Sequence, residues 1–238
     1  MIIDRLQAFL AQPILFNGAV NIHSPTMDEI SKVGYEEYML KVQFSLFDKE
    51  KILIDLFNVS DDEYDLIKDT SDFDILTDHP NLQDYMTDSL SFFSKSEVVF
   101  DRISKSFKID GVDFVHKDNF KDYALVIKQL NAMDLESEKG TKKTAKAQAF
   151  QDRINFFKKK AQKKEDVLEI KDILSILCNA GNNGINIFNV GTLTIYQVYE
   201  QFERLNIKES FNRLHPVWAN GHLGENTKLP EWIKRTKL

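Results

Sequence analysis

The side chains able to do chemistry in this chain are few and scattered. His23, His79, His116, His215 and His222 each stand alone at what reads as a loop or helix boundary, where a surface or capping role accounts for them. His215 and His222 are close enough in sequence to share a metal with Glu225. A zinc site, however, needs a defined set of three or four ligands, and no such pattern is present. The one cysteine, Cys178, would need a histidine beside it to act as a nucleophile; its apolar helical surroundings read instead as a small core residue. Asp61-Asp62-Glu63-Tyr64-Asp65 has the oxygen ligands of a cation loop but not the mid-loop glycine and terminal glutamate of an EF-hand. It reads as an acidic helix start favoured by the helix dipole. Phosphate-cradling glycine loops, the His-Glu-x-x-His helix and the Gly-x-Ser-x-Gly elbow do not occur. The expectation is a protein without catalytic residues, cofactor or metal.

Lys158, Lys159 and Lys160, with Lys163 and Lys164, are the nucleic-acid candidate, because lysines on phosphates give salt-sensitive, sequence-independent binding. Against it stand the net charge of −6 and the lack of base-stacking aromatics among the lysines. Charge is also segregated. Asp48 to Asp101 holds fifteen acids against four lysines, a local −11, and Lys139 to Lys164 holds ten bases against Asp152, a local +9. Such asymmetry marks solvated faces, parts of one chain that attract each other, or an interaction arm.

The elements that would position these side chains are mostly short helices. At 238 residues the chain can bury a sizeable core, and nine Gly with five Pro argue against a turn-rich all-β fold. Residues 1–12 read as a short helix ended by Pro13, and Ile14 to Ile22, around Asn17-Gly18, as a small hairpin. Ser24 is one possible cap for the next helix, and Thr26 with Glu29 is an alternative capping box; Gly34 marks its end. Further helices are expected around Tyr38 to Leu46, Ile52 to Phe57, after the Ser60–Glu63 capping box, over Asp72 to Leu76, and over Leu82 to Phe93 beyond the His79-Pro80 break. Asp110-Gly111 between Phe107, Ile109, Val112 and Phe114 predicts a hairpin over residues 105–116. Asp118 or Asn119 then caps a helix carrying Phe120, Tyr123, Ile127 and Leu130 inward, and a long lysine-rich helix is expected from Lys142 to Lys164. Ile170, Ile173, Leu174 and Leu177 give the next helix, ended by Ala180-Gly181-Asn182-Asn183-Gly184. The best-specified helix starts at the Thr194–Gln197 capping box, carries Ile195, Val198, Tyr199, Phe202 and Leu205 on one face, and can close at Asn206. Beyond His215-Pro216 an irregular tail holds Trp218 and Trp232.

The expected fold is therefore mainly α, a bundle of short amphipathic helices with one small β-hairpin at about 105–116. Its expected division is a helical domain with hairpin over 1–135, a basic helix or connector over 136–166, and a C-terminal helical subdomain with irregular tail over 167–238. A charged fourth residue is unlike a signal peptide, no run approaches the roughly 20 apolar residues that span a bilayer, and a single cysteine fits a reducing compartment. These place the chain in cytoplasm and away from membranes.

Two stretches carry a family resemblance. Asn21 to Tyr35, reading Asn-Ile-His-Ser-Pro-Thr-Met-Asp-Glu-Ile-Ser-Lys-Val-Gly-Tyr, and Thr192 to Leu205, reading Thr-Leu-Thr-Ile-Tyr-Gln-Val-Tyr-Glu-Gln-Phe-Glu-Arg-Leu, resemble segments of the tail assembly chaperones of bacteriophages of Gram-positive hosts. The resemblance implies a mostly helical protein of the host cytoplasm that coats the tape-measure protein and keeps it soluble while the tail tube polymerises. The alternatives are a structural component of the phage tail or baseplate, found in the virion, and a nucleic-acid-binding accessory protein using the lysine-rich helix. Tyr196, Tyr199, Phe202, Lys158, Lys159, Lys160, Trp218 and Trp232 are the candidate partner-binding residues, with the tape-measure protein, another tail protein or a second copy of the chain as partner.

Overall fold

The computed structural model of the chain describes residues 1–57, 59–133, 168–181, 183–222, 228–229 and 231–236. The long helix expected over Lys142 to Lys164, with Lys158, Lys159 and Lys160, lies outside the described residues. Two compact units are formed, one from Met1–Met133 with Gly191–Glu200 and Thr236–Leu238, the other from Asp134–Val190 with Gln201–Arg235.

In the first unit local signals set most elements. Asp4 accepts the Leu6 N–H at 2.8 Å and starts α1 (Arg5–Phe9), so the helix expected over 1–12 is shorter than its apolar pattern. Asn17-Gly18, both at positive φ, turns β1 (Ile14–Phe16) onto antiparallel β2 (Val20–Ile22). Thr26, rather than Ser24, caps α2 (Met27–Val33), and its hydroxyl and the Glu29 carboxylate complete a capping box. Gly34, at φ 91°, separates it from α3 (Tyr35–Leu46). A π-helical segment (Lys51–Leu56) follows where a helix was expected. Next come α4 (Asp61–Ile67), with the Ser60–Glu63 box, α5 (Asp72–Asp78), and α6 (Pro80–Ser94), whose first residue is the proline that breaks α5.

The β component is larger than one hairpin. β4 (Ser106–Ile109) and β5 (Val112–Val115) make the expected hairpin around Asp110-Gly111, at φ 50° and 80°. β3 (Val99–Asp101) adds a third antiparallel strand, and β1–β2 is a separate sheet. The sequence signal for β3 is weak because its turn onto β4 contains no Gly or Asn. It is closed instead by the Asp101 carboxylate accepting the Ile103 N–H at 2.9 Å and by Lys105 at φ 46°. Across the sheet Lys108 pairs with Asp101 at 2.7 Å and Asp113 at 3.6 Å.

α7 (Phe120–Leu130) and α6 both pack on α3. Aromatic side chains fill the space between helices and strands: Phe16, Phe114 and Tyr123 meet edge to face with centroids 5.7 to 6.0 Å apart. Phe73 touches Phe107 and Phe120, and Tyr38 touches Phe92 and Phe93. The polar groups that enter this aromatic core are paired at three places, while Ser24 Oγ and Arg5 Nε elsewhere in the unit are buried without a partner. The Tyr38 hydroxyl donates to Asn131, Ser45 and Tyr123 share a hydrogen bond at 3.2 Å, and Lys41 is held by Asp88 and by Glu37 at 3.3 Å. Burial pushes the Tyr38 and Tyr123 phenols well above their usual value, so both stay neutral.

His23 and Glu29 give this unit an acid sensitivity. Burial, then nearby Lys95, holds the His23 imidazole below its ordinary value against a smaller opposing pull from Glu29. Burial raises the Glu29 carboxyl, but Lys95 and Thr26 outweigh it and the net shift is downward. Both groups have lower values folded than unfolded, so their stabilisation is present above the unfolded value and lost as pH falls through the folded one. The thermal midpoint is expected to begin falling below 6.5, the ordinary imidazole value, and to fall again below 4.5, the ordinary Glu value. Calorimetry of His23→Gln should keep the second fall and lose the first; a first fall unchanged in that variant rules out His23 as its source.

In the second unit α8 (Ile170–Asn179) buries Ile173 and Leu177. A 3-10 turn (Val190–Thr192) precedes α9 (Ile195–Ala219), the last helix among the described residues, whose first turns belong to the first unit and whose remainder, from Gln201, to the second. The expected stop at Asn206 does not occur. α9 continues through Pro216, which leaves a helix bond unmade, and is closed by Gly221 at φ 70°. There the Gly221 N–H donates to the Trp218 carbonyl at 2.9 Å and the His222 N–H to the Val217 carbonyl at 3.0 Å, a glycine-terminated helix end. Trp218 is therefore a helix residue and not part of an irregular tail.

Candidate functional site

The two stretches that carry the family resemblance are 168 positions apart at Thr26 and Thr194, yet these two residues form an antiparallel bridge. The Met27 N–H donates to the Leu193 carbonyl at 2.9 Å, and the Ile195 N–H to the Pro25 carbonyl at 3.0 Å. Each threonine is also an N-cap. The Thr194 hydroxyl accepts the Gln197 N–H at 3.3 Å, and the Gln197 side chain accepts the Thr194 N–H at 2.9 Å. Two helix starts thus use both their side chains and their backbones to hold each other. Gly191 sits so close to Asp28 that a Cβ there would lie 2.0 Å from the carboxylate. Thr26→Val and Thr194→Val are each expected to lose about 1 kcal/mol. In a double-mutant cycle by urea unfolding the pair should depart from additivity, because both changes act on one junction; strict additivity would show that the bridge does not couple them.

From that junction α9 runs with two apolar faces. At 3.6 residues per turn, Ile195, Val198, Phe202 and Leu205 share one side; Ile195 and Val198 are buried, and Phe202 and Leu205 half-buried. Ile207, Phe211, Leu214 and Trp218 follow at spacings of four, three and four, and they lie on roughly the opposite side. This is the seam pattern that packs against another helix. Ile207, Phe211 and Leu214 are only half-buried, and Trp218 is 53% exposed. The Phe211, His215 and Trp218 rings follow one another with centroids 5.3 and 5.9 Å apart. Arg204, three positions before Ile207, donates to the Lys234 carbonyl at 2.7 Å and the Trp232 carbonyl at 3.5 Å. It thereby moors Trp232, 42% exposed, and exposed Ile233 at the start of the second stripe.

Of the candidate partner-binding residues, Tyr196 is core, at 2% exposure. Tyr199 is half-buried beside Tyr35, its phenol pushed up by burial and then by Tyr35. Phe202 lies on the first stripe, Trp218 on the second, and Trp232 at the second stripe's head. Ile207, Phe211 and Leu214 were not among the candidates. Their heptad spacing is readable in the sequence, but an expected helix end at Asn206 hid it.

The polar surface offers less. An open cleft of about 350 Å³ is lined by Asp74, Ser104, Lys105, Ser106, Asp113 and Lys117, among others. Most of its polar groups are already engaged: Lys117 pairs with Asp74 at 2.6 Å, Ser106 donates to Asp113 at 2.7 Å, and Lys105 pairs with Asp78, outside the cleft, at 2.9 Å. Cys178 is half-buried on α8. Among the described residues no group of three His, Cys, Asp or Glu side chains could hold a metal, and no helix is long and apolar enough to cross a membrane.

No curated protein and no solved structure matches the chain. Residues 158–237 match the model of a family described as the YomV second domain, a phage-associated family, so the match takes in α8, α9 and the tail with Trp232.

Proposed function

We propose that this protein is an assembly chaperone of a phage tail, working in the host cytoplasm without catalysis, and that it holds the long helical tape-measure protein. The observation that supports this reading is the second stripe of α9, Ile207, Phe211, Leu214 and Trp218, turned away from the stripe the helix buries. A seam of that spacing is completed by another amphipathic helix. Exposed Lys208 lies beside it, which suits a partner helix with an acidic flank. The phage association of the matched region and the joining of the two resemblance-bearing stretches at one junction agree with it.

A chaperone leaves before the particle is finished, whereas a structural tail component stays. Quantitative mass spectrometry of infected lysate and of purified particles separates the two. The expected result is abundant chain in lysate and none in particles at stoichiometric level. Retention in particles at a fixed ratio to the tube protein would replace the chaperone by the structural reading.

A further inference from the structure

The seam of α9 does not begin at Ile207. Continued upstream at spacings of three and four, its next positions are Arg204 and Glu200, and both are charged. Each is engaged by the end of the chain itself. Arg204 donates to the carbonyls of Trp232 and Lys234 at 3.5 and 2.7 Å. Thr236 is only 4% exposed. Its hydroxyl donates to the Glu200 carboxylate, whose oxygens lie 2.7 and 2.9 Å away, and accepts from the Arg5 guanidinium at 2.6 Å. Arg5 in turn stands 3.8 Å from Glu200. Residues 232–236 therefore form a strap antiparallel to α9, tied by backbone carbonyls and a buried hydroxyl. The ties leave its other side chains outside: Trp232 to Arg235 are all exposed, Trp232 at 42% and Ile233 at 77%.

We propose that Thr236 is a positioning residue, which latches the strap so that Trp232 and Ile233 form a fixed second anchor for the amphipathic helix that pairs with the stripe. The inference rests on the reading of that stripe as a helix-binding seam. The strap is tied to the two charged positions of the seam, so its release bares Glu200 and Arg204, charges that an apolar partner face meets at a cost. An autoinhibitory strap would instead be tied over the apolar positions. Trp232 and Ile233 are held where the apolar part of the seam starts, and they lie in the same unit as Ile207 to Trp218. Around them exposed Lys208, Lys234 and Arg235 outnumber exposed Glu231, which again suits a helix with an acidic flank. A strap held in place before binding has less freedom to lose when it is covered, and that is what preorganisation contributes to affinity.

The test uses the full chain with Thr236→Val, which removes the hydroxyl and keeps the shape, and Thr236→Ser, which keeps the hydroxyl. Trypsin reads the latch without any partner, because cleavage after Lys234 needs the carbonyl that Arg204 holds. By mass spectrometry Thr236→Val should speed this cut about tenfold, and Thr236→Ser should stay near wild type. Equal rates in wild type and Thr236→Val overturn the latch. Anisotropy against a labelled segment of the tape-measure protein reads the anchor. Thr236→Val should weaken binding about fivefold. Trp232→Ala should weaken it about tenfold alone and much less in the Thr236→Val background, because a loosened indole no longer serves as an anchor. Tighter binding by Thr236→Val overturns the proposal in favour of an autoinhibitory strap, and unchanged binding with a faster cut overturns the anchor role. If wild-type chain does not bind the segment while the cut still depends on Thr236, the helix-binding reading fails together with the anchor, and the latch alone stands.

Discussion

Replacing Trp218 by Glu is expected to abolish measurable binding of the helical partner while leaving thermal unfolding of the chain unchanged. Trp218 ends the second stripe of α9 and is 53% exposed, so the free protein loses little packing with it. In a complex the indole would be the largest apolar anchor of the seam, and anchors of this kind cost about 2–4 kcal/mol when truncated, roughly 30- to 1,000-fold in Kd. Glutamate adds the cost of burying a charge. Leu214→Glu, one turn back on the same side, should act in the same direction. Arg213→Glu, which changes an exposed side chain on a different side of α9, is the matched control and should bind within a factor of about 3 of wild type. Fluorescence anisotropy against a labelled partner segment reads all three. Equal losses for Trp218→Glu and Arg213→Glu would mean that charge on the helix, and not the stripe, sets the affinity.

The largest expected effect on stability belongs to Phe114→Ala, at about 3–5 kcal/mol. Phe114 is fully buried, and its ring meets Phe16 from β1 and Tyr123 from α7 at near-perpendicular angles. Its carbonyl accepts from Asn17 in the β1–β2 turn at 3.2 Å and from Asn119 at the start of α7 at 3.0 Å. Truncation opens a cavity where two sheets and a helix converge and removes two edge-to-face ring contacts. The thermal midpoint should fall by on the order of 10 °C for a chain of this size, and Phe114→Leu should recover a good part of it. A loss below about 1.5 kcal/mol would show that the surroundings collapse into the space, so that this cluster is not the centre of the unit.

What could be read from the sequence was local. Thr26 with Glu29, Ser60 with Glu63, Thr194 with Gln197, and Asp110-Gly111 each specify a start or a turn through neighbouring residues, and each is found in place. The misses have local causes as well. β3 is three residues long, and its turn pairs one common signal, an aspartate side chain, with a lysine at positive φ, which is not one. α9 passes Asn206 and Pro216 and ends at Gly221, and that added length turns Phe211 and Leu214, which no expected element held, and Trp218, an apparent tail residue, into a helical stripe. The meeting of Thr26 with Thr194 is a long-range pairing to which each capping box contributes only half. The rings of Tyr196 and Tyr199 differ in burial although they are three positions apart, because Tyr196 enters the core and Tyr199 lies against Tyr35.

Co-expression with the tape-measure protein from the same genome shows whether this chain holds a long amphipathic helix. The readout is that partner's solubility and co-elution. With wild-type chain the partner should move into the soluble fraction and elute as a complex, and with Trp218→Glu it should return to the pellet. A partner that remains insoluble with wild-type chain, with no complex recovered, contradicts the chaperone account.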